Sequence, residues 1–214
     1  MAITFYYASG STFAWYVWFV LEHKQLSYDM KVFSFRGDDM KTPEYLAINP
    51  RGKVPVLIDE GLVLWESSAI VEYLEEHYPE RPVLPGSSRS RATARRIVSE
   101  ASCYLYPPLR GVMEQILWIR PDGDAAPAAL DGYLQNLHRE LVYFEGELSD
   151  DFFAGSLSIA DFAMYPLLAL VNRLQERQPQ HNMGSFIGPR LAAFMGRIEQ
   201  LPYFTKTIPP HWKG

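Results

Sequence analysis

The stretch from Glu80 to Ser87 divides the chain into two parts whose sequence patterns differ. Pro82, Pro85 and Gly86 make this stretch unsuitable for either a helix or a strand. Before it, short β-branched and aromatic runs alternate with helical patterns, and after it only helical patterns occur. We therefore expect an α/β domain over residues 1–80, a linker at 81–88 and an all-helical domain over residues 89–214.

The first 80 residues predict a strand, a helix, a strand, a short helix, two strands and a final helix. The predicted strands and helices lie at 3–7 (strand), 13–24 (helix), 28–35 (strand), 43–48 (helix), two short strands within 54–65, and 66–78 (helix). Ser11 or Thr12 is placed to cap the first helix, which is apolar on nearly every face and is expected to be buried on several sides. This order favours a parallel strand pair joined through that helix, followed by an antiparallel hairpin.

Long helical patterns make up the rest of the chain. They are predicted over 89–120 with a kink at Pro107-Pro108, over 128–148, from Ser158 onward, and over 189–200. Ser158 and Asp161 have the spacing of a capping box, in which each side chain accepts a hydrogen bond from the other residue's backbone N–H.

Composition narrows the class of protein. The net charge of −5 argues against a nucleic-acid partner, which requires a basic surface. Cys103 is the only cysteine, so no intrachain disulfide is possible, in keeping with a reducing compartment. The longest apolar run, Phe13–Leu21, is too short to span a bilayer, which takes about 20 residues. We therefore expect a cytoplasmic protein with no membrane or metal partner.

Two features between Asn49 and Tyr73 are unusual for a plain scaffold. Pro55 opens an apolar strand, although proline in a strand is normally confined to edges, first residues or special turns. The cluster Glu66-Ser67-Ser68 then places hydroxyls and backbone N–H groups together at a helix N-terminus, which favours an anion. The pattern indicates a ligand site made from the strand start and the helix start.

These segments resemble the glutathione S-transferase family. The resemblance is carried by Asn49–Leu57, by Leu64–Leu74 and, more weakly, by Ser158–Phe162. It implies a thioredoxin-like N-terminal domain, an all-α C-terminal domain, and a cytoplasmic homodimer that serves in detoxification. Glutathione would be the co-substrate and an apolar electrophile the second substrate. The alternatives are a glutathione-dependent peroxidase or disulfide reductase, and a non-catalytic binding protein of the same fold.

The resemblance also implies how glutathione is held. Val54 would pair its backbone with the cysteinyl part of the ligand, next to a cis Pro55. Ser67 and its helix N-terminus would bind the γ-glutamyl carboxylate, while Glu66 meets the ammonium group. Lys53 or Lys41 would meet the glycyl carboxylate.

The glutathione thiol must be stabilised as a thiolate, and the loop after the first strand supplies three hydroxyls for this. Register against theta- and zeta-like members places Ser11 at the catalytic serine, with Ser9 and Thr12 as the alternatives. Tyr7 is a further alternative. Since side chains alternate along a strand, Tyr6 and Tyr7 should face opposite ways. The loop contains no cysteine, which excludes a cysteine mechanism. Phe13, Tyr104 and Trp118 are expected to line the pocket for the second substrate.

Overall fold

The computed structural model describes residues 3–35, 37–117, 127–148 and 150–212. These residues form two compact units: one contains the described residues up to Leu84 together with those from Leu201 onward, and the other is Pro85–Gln200. The segment after Leu201 therefore belongs with the N-terminal unit, whereas the sequence pattern grouped it with the helical domain.

The first unit is built on a four-stranded mixed sheet in the order β2-β1-β3-β4. The strands are β1 (Ile3–Ala8), β2 (Tyr28–Phe33), β3 (Val56–Asp59) and β4 (Leu62–Trp65). β1 runs parallel to β2 and antiparallel to β3, and β3 pairs antiparallel with β4. The predicted parallel pair and hairpin are confirmed.

Helix α1 (Thr12–Lys24) forms the centre of the first unit. Eleven of its thirteen residues are buried, which agrees with its apolar sequence. Its N-cap is Ser11, and its C-cap is Gln25 in the left-handed conformation. The unit also contains α2 (Pro43–Ile48), α3 (Ser67–His77) and the short α9 (Phe204–Thr207). Both α1 and α3 pack on the sheet and on each other.

The second unit is helical throughout its described residues. Its helices are α4 (Ser88–Glu100), α5 (Tyr106–Leu117), α6 (Pro127–Glu147), α7 (Ile159–Arg177) and α8 (Pro189–Glu199). A π-helical turn, Ala101–Leu105, separates α4 from α5, so the expected break in the long pattern comes one turn before Pro107-Pro108.

The predicted capping box is present at the start of α7. Asp161 accepts from the backbone N–H and the hydroxyl of Ser158, at 2.7 and 3.0 Å, and from the backbone N–H of Phe153 at 3.0 Å. Complete burial raises the pKa of Asp161 to about 7, although these donors act in the opposite direction. The box fixes the N-terminus of α7, a helix with thirteen buried residues in the core of the second unit.

Candidate functional site

The register of the sheet brings three separate segments of the first unit to one end of its strands, called the shared edge below. Tyr6, Val56 and Trp65 are direct neighbours across β1, β3 and β4. β1 and β4 end at this edge and β3 begins there, since β3 is antiparallel to both. The Ser9–Thr12 loop and the Glu66-Ser67 helix start therefore follow β1 and β4, and the Val54-Pro55 pair precedes β3 between them; the three strands span only about 10 Å across.

Ser11 combines a buried position with a capping role. The residue is 9% exposed, and its Oγ accepts from the backbone N–H of Ala14 at 3.2 Å. Its hydroxyl hydrogen is not used by that bond, because the oxygen acts as acceptor there. Thr12 begins α1 and is also buried. The hydroxyl of Ser11 thus lies at the positive end of the α1 dipole.

Tyr7 is fully buried and lies on the opposite face of β1 from Tyr6. Burial raises the pKa of Tyr7 to about 12, and hydrogen bonds from the backbone of Gly10 and with Ser9 act against this. Tyr6 is half-buried and packs against the rings of Phe33 and Tyr45. The predicted alternation is confirmed.

A hydrogen-bonded turn holds the backbone before Pro55. Asn49, which is buried, donates its side-chain amide to the Lys53 carbonyl at 2.7 Å, and the Tyr45 hydroxyl donates to the same carbonyl at 2.6 Å. The Asn49 side chain also accepts from the backbone N–H of Arg51 at 3.0 Å, an Asx turn. The sequence places Asn49 at the start of this stretch, where asparagine before a proline signals a turn, but predicts a supporting role for neither Asn49 nor Tyr45.

The Val54–Pro55 peptide bond is cis, as expected. Val54 is half-buried, and no backbone hydrogen bond joins it to another residue in the described part of the chain. Its N–H and C=O are therefore available for pairing with an extended ligand. Gly52, two residues earlier, has φ of 58°, and a Cβ there would lie 2.9 Å from the Met40 carbonyl oxygen. Only glycine fits this turn without displacement of the backbone.

Glu66 and Ser67 start α3 in an unusual way. Glu66 is the exposed N-cap residue with φ 70° and ψ 114°, and its side chain makes no capping hydrogen bond. Ser67 is half-buried at the first helical position. The first backbone N–H groups of a helix have no acceptor within it, so this helix start presents several donors at the shared edge.

The two lysines considered for a carboxylate differ in their surroundings. Lys53 is exposed and belongs to the hydrogen-bonded turn next to Val54. Lys41, in a 3-10 turn over Asp39–Lys41, forms an exposed ion pair with Asp38 at 3.1 Å.

The residues expected to line a second pocket lie in different units or outside the described residues. Phe13 is half-buried on α1 in the first unit. Tyr104 lies on the π-helical turn of the second unit and is 62% exposed. Trp118 is outside the described residues. The lining of a second pocket therefore stays a prediction.

Two negative findings apply to the described ranges. No group of three or more His, Cys, Asp or Glu side chains within them is arranged to hold a metal ion. None of the helices they contain has the length and apolarity required to cross a membrane.

Comparison with known proteins defines first the fold and then the family. Residues 10–77 match the glutathione S-transferase N-terminal domain model, and residues 127–197 match the C-terminal domain model. The structure resembles that of a Pseudomonas putida glutathione transferase, with a TM-score of 0.86 over 98% of this chain and 91% of that one, at 21% identity. The fold is thus thioredoxin-like in its N-terminal part and all-α in its C-terminal part, as expected.

Two more similar proteins show the family. The glutathione S-transferase of the Antarctic clam Laternula elliptica is 31% identical, with a TM-score of 0.81 over 99% of this chain and 94% of that one. The zeta-class glutathione S-transferase of Euphorbia esula is 30% identical over 82% of this chain and 85% of its own. The chain belongs to the glutathione S-transferase family.

Proposed function

We propose that this protein is a glutathione transferase in which the thiolate of bound glutathione attacks an apolar electrophilic small molecule. The observation that carries the proposal is the shared edge, where a hydroxyl-bearing loop and a helix start follow two strands and an unpaired extended backbone precedes the strand between them. These are the chemical groups that a tripeptide with two carboxylates, an ammonium and a thiol requires.

Glutathione is held by its backbone and its charged ends. Val54 pairs with the cysteinyl part as an added strand would. Ser67 and the N–H groups of α3 bind the γ-glutamyl carboxylate, which the helix dipole also favours. Glu66 meets the ammonium group. Lys53 meets the glycyl carboxylate, since it adjoins Val54 and Lys41 is already paired with Asp38.

The chemical step needs the thiol in its anionic form. A free cysteine thiol has a pKa near 8.5, so only a few per cent is thiolate at neutral pH. Ser11 donates a hydrogen bond to the sulfur, and the N-terminus of α1 adds its dipole; both favour the anion. The thiolate then forms a carbon–sulfur bond, and the leaving group departs with the bonding electrons.

The loop chemistry favours conjugation over disulfide reduction. No cysteine is present between Ser9 and Thr12, so the loop has no thiol that could form a mixed disulfide with glutathione. We further propose that the enzyme works as a cytoplasmic homodimer in detoxification, in keeping with its family.

Substitution of Ser11 tests the mechanism. We expect Ser11→Ala to raise the pKa of the bound thiol and to lower kcat/KM toward an aryl halide at pH 6.5 by about 10- to 100-fold, since a hydrogen bond to an anion is lost. The ultraviolet absorbance of the thiolate, followed against pH, gives the pKa directly.

Two variants serve as controls for this test. Ser11→Thr retains the hydroxyl and the helix cap, and should retain most of the activity. Ser67→Ala should raise KM for glutathione without a shift of the thiol pKa. An unchanged pH profile in Ser11→Ala would remove Ser11 from the mechanism.

A further inference from the structure

The segment 201–212, called the C-terminal strap below, lies along α1 in the opposite direction. It contacts the C-terminal half of α1 through Tyr203 Oη to His23 Nδ1 at 2.8 Å, Lys206 Nζ to Glu22 Oε1 at 2.7 Å, and the stacked Phe204 and Phe19 rings at 6.3 Å. Further along, the Trp212 ring meets the Trp15 ring edge-on at 5.3 Å. The strap thus follows α1 from its C-terminus toward its N-terminus, which the Ser9–Thr12 loop precedes.

The strap ends on Ser9. The Oγ of Ser9 and the Nδ1 of His211 are 2.5 Å apart. The neighbouring Gly10 has φ of 90°, and a Cβ there would lie 3.0 Å from Cε1 of His211 and 3.8 Å from Nε1 of Trp212. Because Gly10 has no side chain, His211 and Trp212 fit closely against the loop, and a larger residue at position 10 would press against them.

Trp212 determines which nitrogen of His211 carries the proton. The indole Nε1–H donates to Nε2 of His211 at 2.9 Å. An indole nitrogen can only donate, so Nε2 must be the unprotonated acceptor. A neutral imidazole has one N–H, which is then on Nδ1 and donates to Ser9 Oγ.

The direction of this bond leaves Ser9 to donate its own hydroxyl hydrogen. The hydrogen bond between Ser9 and Tyr7 acts to lower the pKa of Tyr7, as donation from Ser9 to the Tyr7 oxygen does, so bound glutathione would compete with Tyr7 for this hydrogen. A hydroxyl whose oxygen accepts a hydrogen bond is polarised and becomes a better donor.

We propose that His211 and Trp212 are positioning residues that hold the Ser9 hydroxyl as a hydrogen-bond donor to the sulfur of bound glutathione. This inference rests on the proposed glutathione transferase function. It adds a second hydroxyl to that of Ser11, supplied by the same loop but oriented by residues about 200 positions later in the sequence. In this arrangement Ser9 touches the sulfur, and His211 and Trp212 act only through Ser9.

The test compares His211→Ala, His211→Asn and Trp212→Phe in the full-length protein. His211→Ala should raise the thiol pKa of bound glutathione by about one, and so lower kcat/KM toward an aryl halide about tenfold at pH 6.5. The loss should disappear above pH 9, where the thiol is ionised without help. His211→Asn places an amide N–H near the former Nδ1–H and should recover most of the activity.

Trp212→Phe keeps an aromatic ring against Trp15 but removes the indole N–H. The imidazole can then carry its proton on Nε2 and accept from Ser9, so we expect a loss smaller than that of His211→Ala. The dissociation constant of glutathione and the melting temperature are measured in every variant.

The outcomes separate this inference from the proposed function. If the wild type conjugates glutathione but His211→Ala has the same pH profile, the positioning role is wrong and the function stands. An equal loss at all pH values, with weaker glutathione binding and no recovery by asparagine, also overturns the inference, because it indicates a purely structural strap. If Trp212→Phe matches the wild type, the assignment of the proton to Nδ1 is wrong. A wild type without conjugation activity refutes the function itself.

Discussion

The backbone of Glu66 has φ 70° and ψ 114°, a combination that residues with a Cβ rarely adopt. Such conformations cost on the order of 1–3 kcal/mol and persist where the surrounding structure imposes them. Glu66 is placed between the end of β4 and the first turn of α3, so the strain fixes the direction in which the helix N–H groups point. The proposed ammonium contact of its carboxylate gives a reason for a charged residue here in place of glycine.

Two substitutions of Glu66 separate the strain from the charge. Glu66→Ala removes the carboxylate and keeps the strain, whereas Glu66→Gly removes both. We expect both variants to bind glutathione more weakly by a similar factor, and Glu66→Gly to have a free energy of unfolding about 1 kcal/mol above that of Glu66→Ala. Isothermal titration and denaturant unfolding measure the two quantities. Full glutathione affinity in both variants would contradict the ammonium contact.

Some of these residues were accessible from sequence and others were not. Pro55 and the Glu66-Ser67 pair each carry a local signal, a proline at a strand start and hydroxyl and acidic residues at a helix start, so local chemistry was enough to select them. Asn49 supports the same turn, but its burial depends on Tyr45 and on the chain folding back, which no local pattern specifies. The strained φ of Glu66 has no signature in its residue type.

At the C-terminal end of α1, a buried ion pair joins three segments of the first unit. Lys24 Nζ lies 2.7 Å from Glu75 Oε2 on α3 and donates to the carbonyl of Tyr78 at 2.8 Å. Glu75 in turn accepts from the backbone N–H groups of Val83 and Leu84 at 2.9 and 3.0 Å. The pair is thus well supplied with hydrogen bonds, the condition under which a buried charge is tolerated.

Glu75→Gln should therefore be strongly destabilising. It leaves the fully buried Lys24 ammonium without its counter-charge, and we expect a loss of about 3–5 kcal/mol in the free energy of unfolding. The exposed pair of Arg110 and Glu114, at 2.7 Å, provides a matched control: Glu114→Gln should cost less than about 1 kcal/mol. Denaturant unfolding at pH 7 measures both losses of stability. Equal losses in the two variants would contradict the expectation that the burial of Lys24 makes its counter-charge more important.

The pH dependence of the same pair has a defined sign. Burial alone would raise the pKa of Glu75, but Lys24 and the N–H groups of Val83 and Leu84 more than offset it, so the pKa is lowered from its ordinary value of 4.5. A carboxyl whose pKa is lower in the folded state adds stability above its unfolded pKa and loses it as the pH falls. The difference between wild type and Glu75→Gln should accordingly shrink below about pH 4.5.

The sheet of the first unit has two outer strands, β4 and β2, and they differ in the number of apolar side chains that they expose. β4 carries Leu62 and Val63 with exposed fractions of 43% and 36%, on adjacent positions of an edge strand. β2 forms the other edge and exposes Val32 at 54%. Unpaired apolar strand edges are commonly covered by another chain. We propose that β4, which exposes two such residues, forms part of the contact in the proposed homodimer.

The oligomeric state tests this assignment. We expect light scattering at micromolar concentration to give twice the mass of one chain for the wild type. Leu62→Glu should shift the protein toward the monomer, because it brings an unpaired charge into the contact. Val32→Glu, on the other edge, should leave the dimer intact. A monomeric wild type, or dissociation caused by Val32→Glu alone, would contradict the proposal.

The order of elements in both parts was predictable because hydrophobic periodicity and proline punctuation are local signals. The placement of the C-terminal strap was not. Tyr203, Phe204 and Lys206 follow the last long helix of the second unit, and nothing in their own pattern indicates that they return to α1. Contacts between residues about 200 positions apart depend on the path of the whole chain.

That return has a consequence for how the protein is made. α1 and the loop before it are synthesised first, yet residues 203–212 that contact them emerge only after the entire helical unit. During synthesis on the ribosome, Trp15 and Phe19 therefore lack their partners on the strap until the helical unit has been translated. The contact between Ser9 and His211 therefore forms last, and a nascent chain does not acquire it until translation has passed His211.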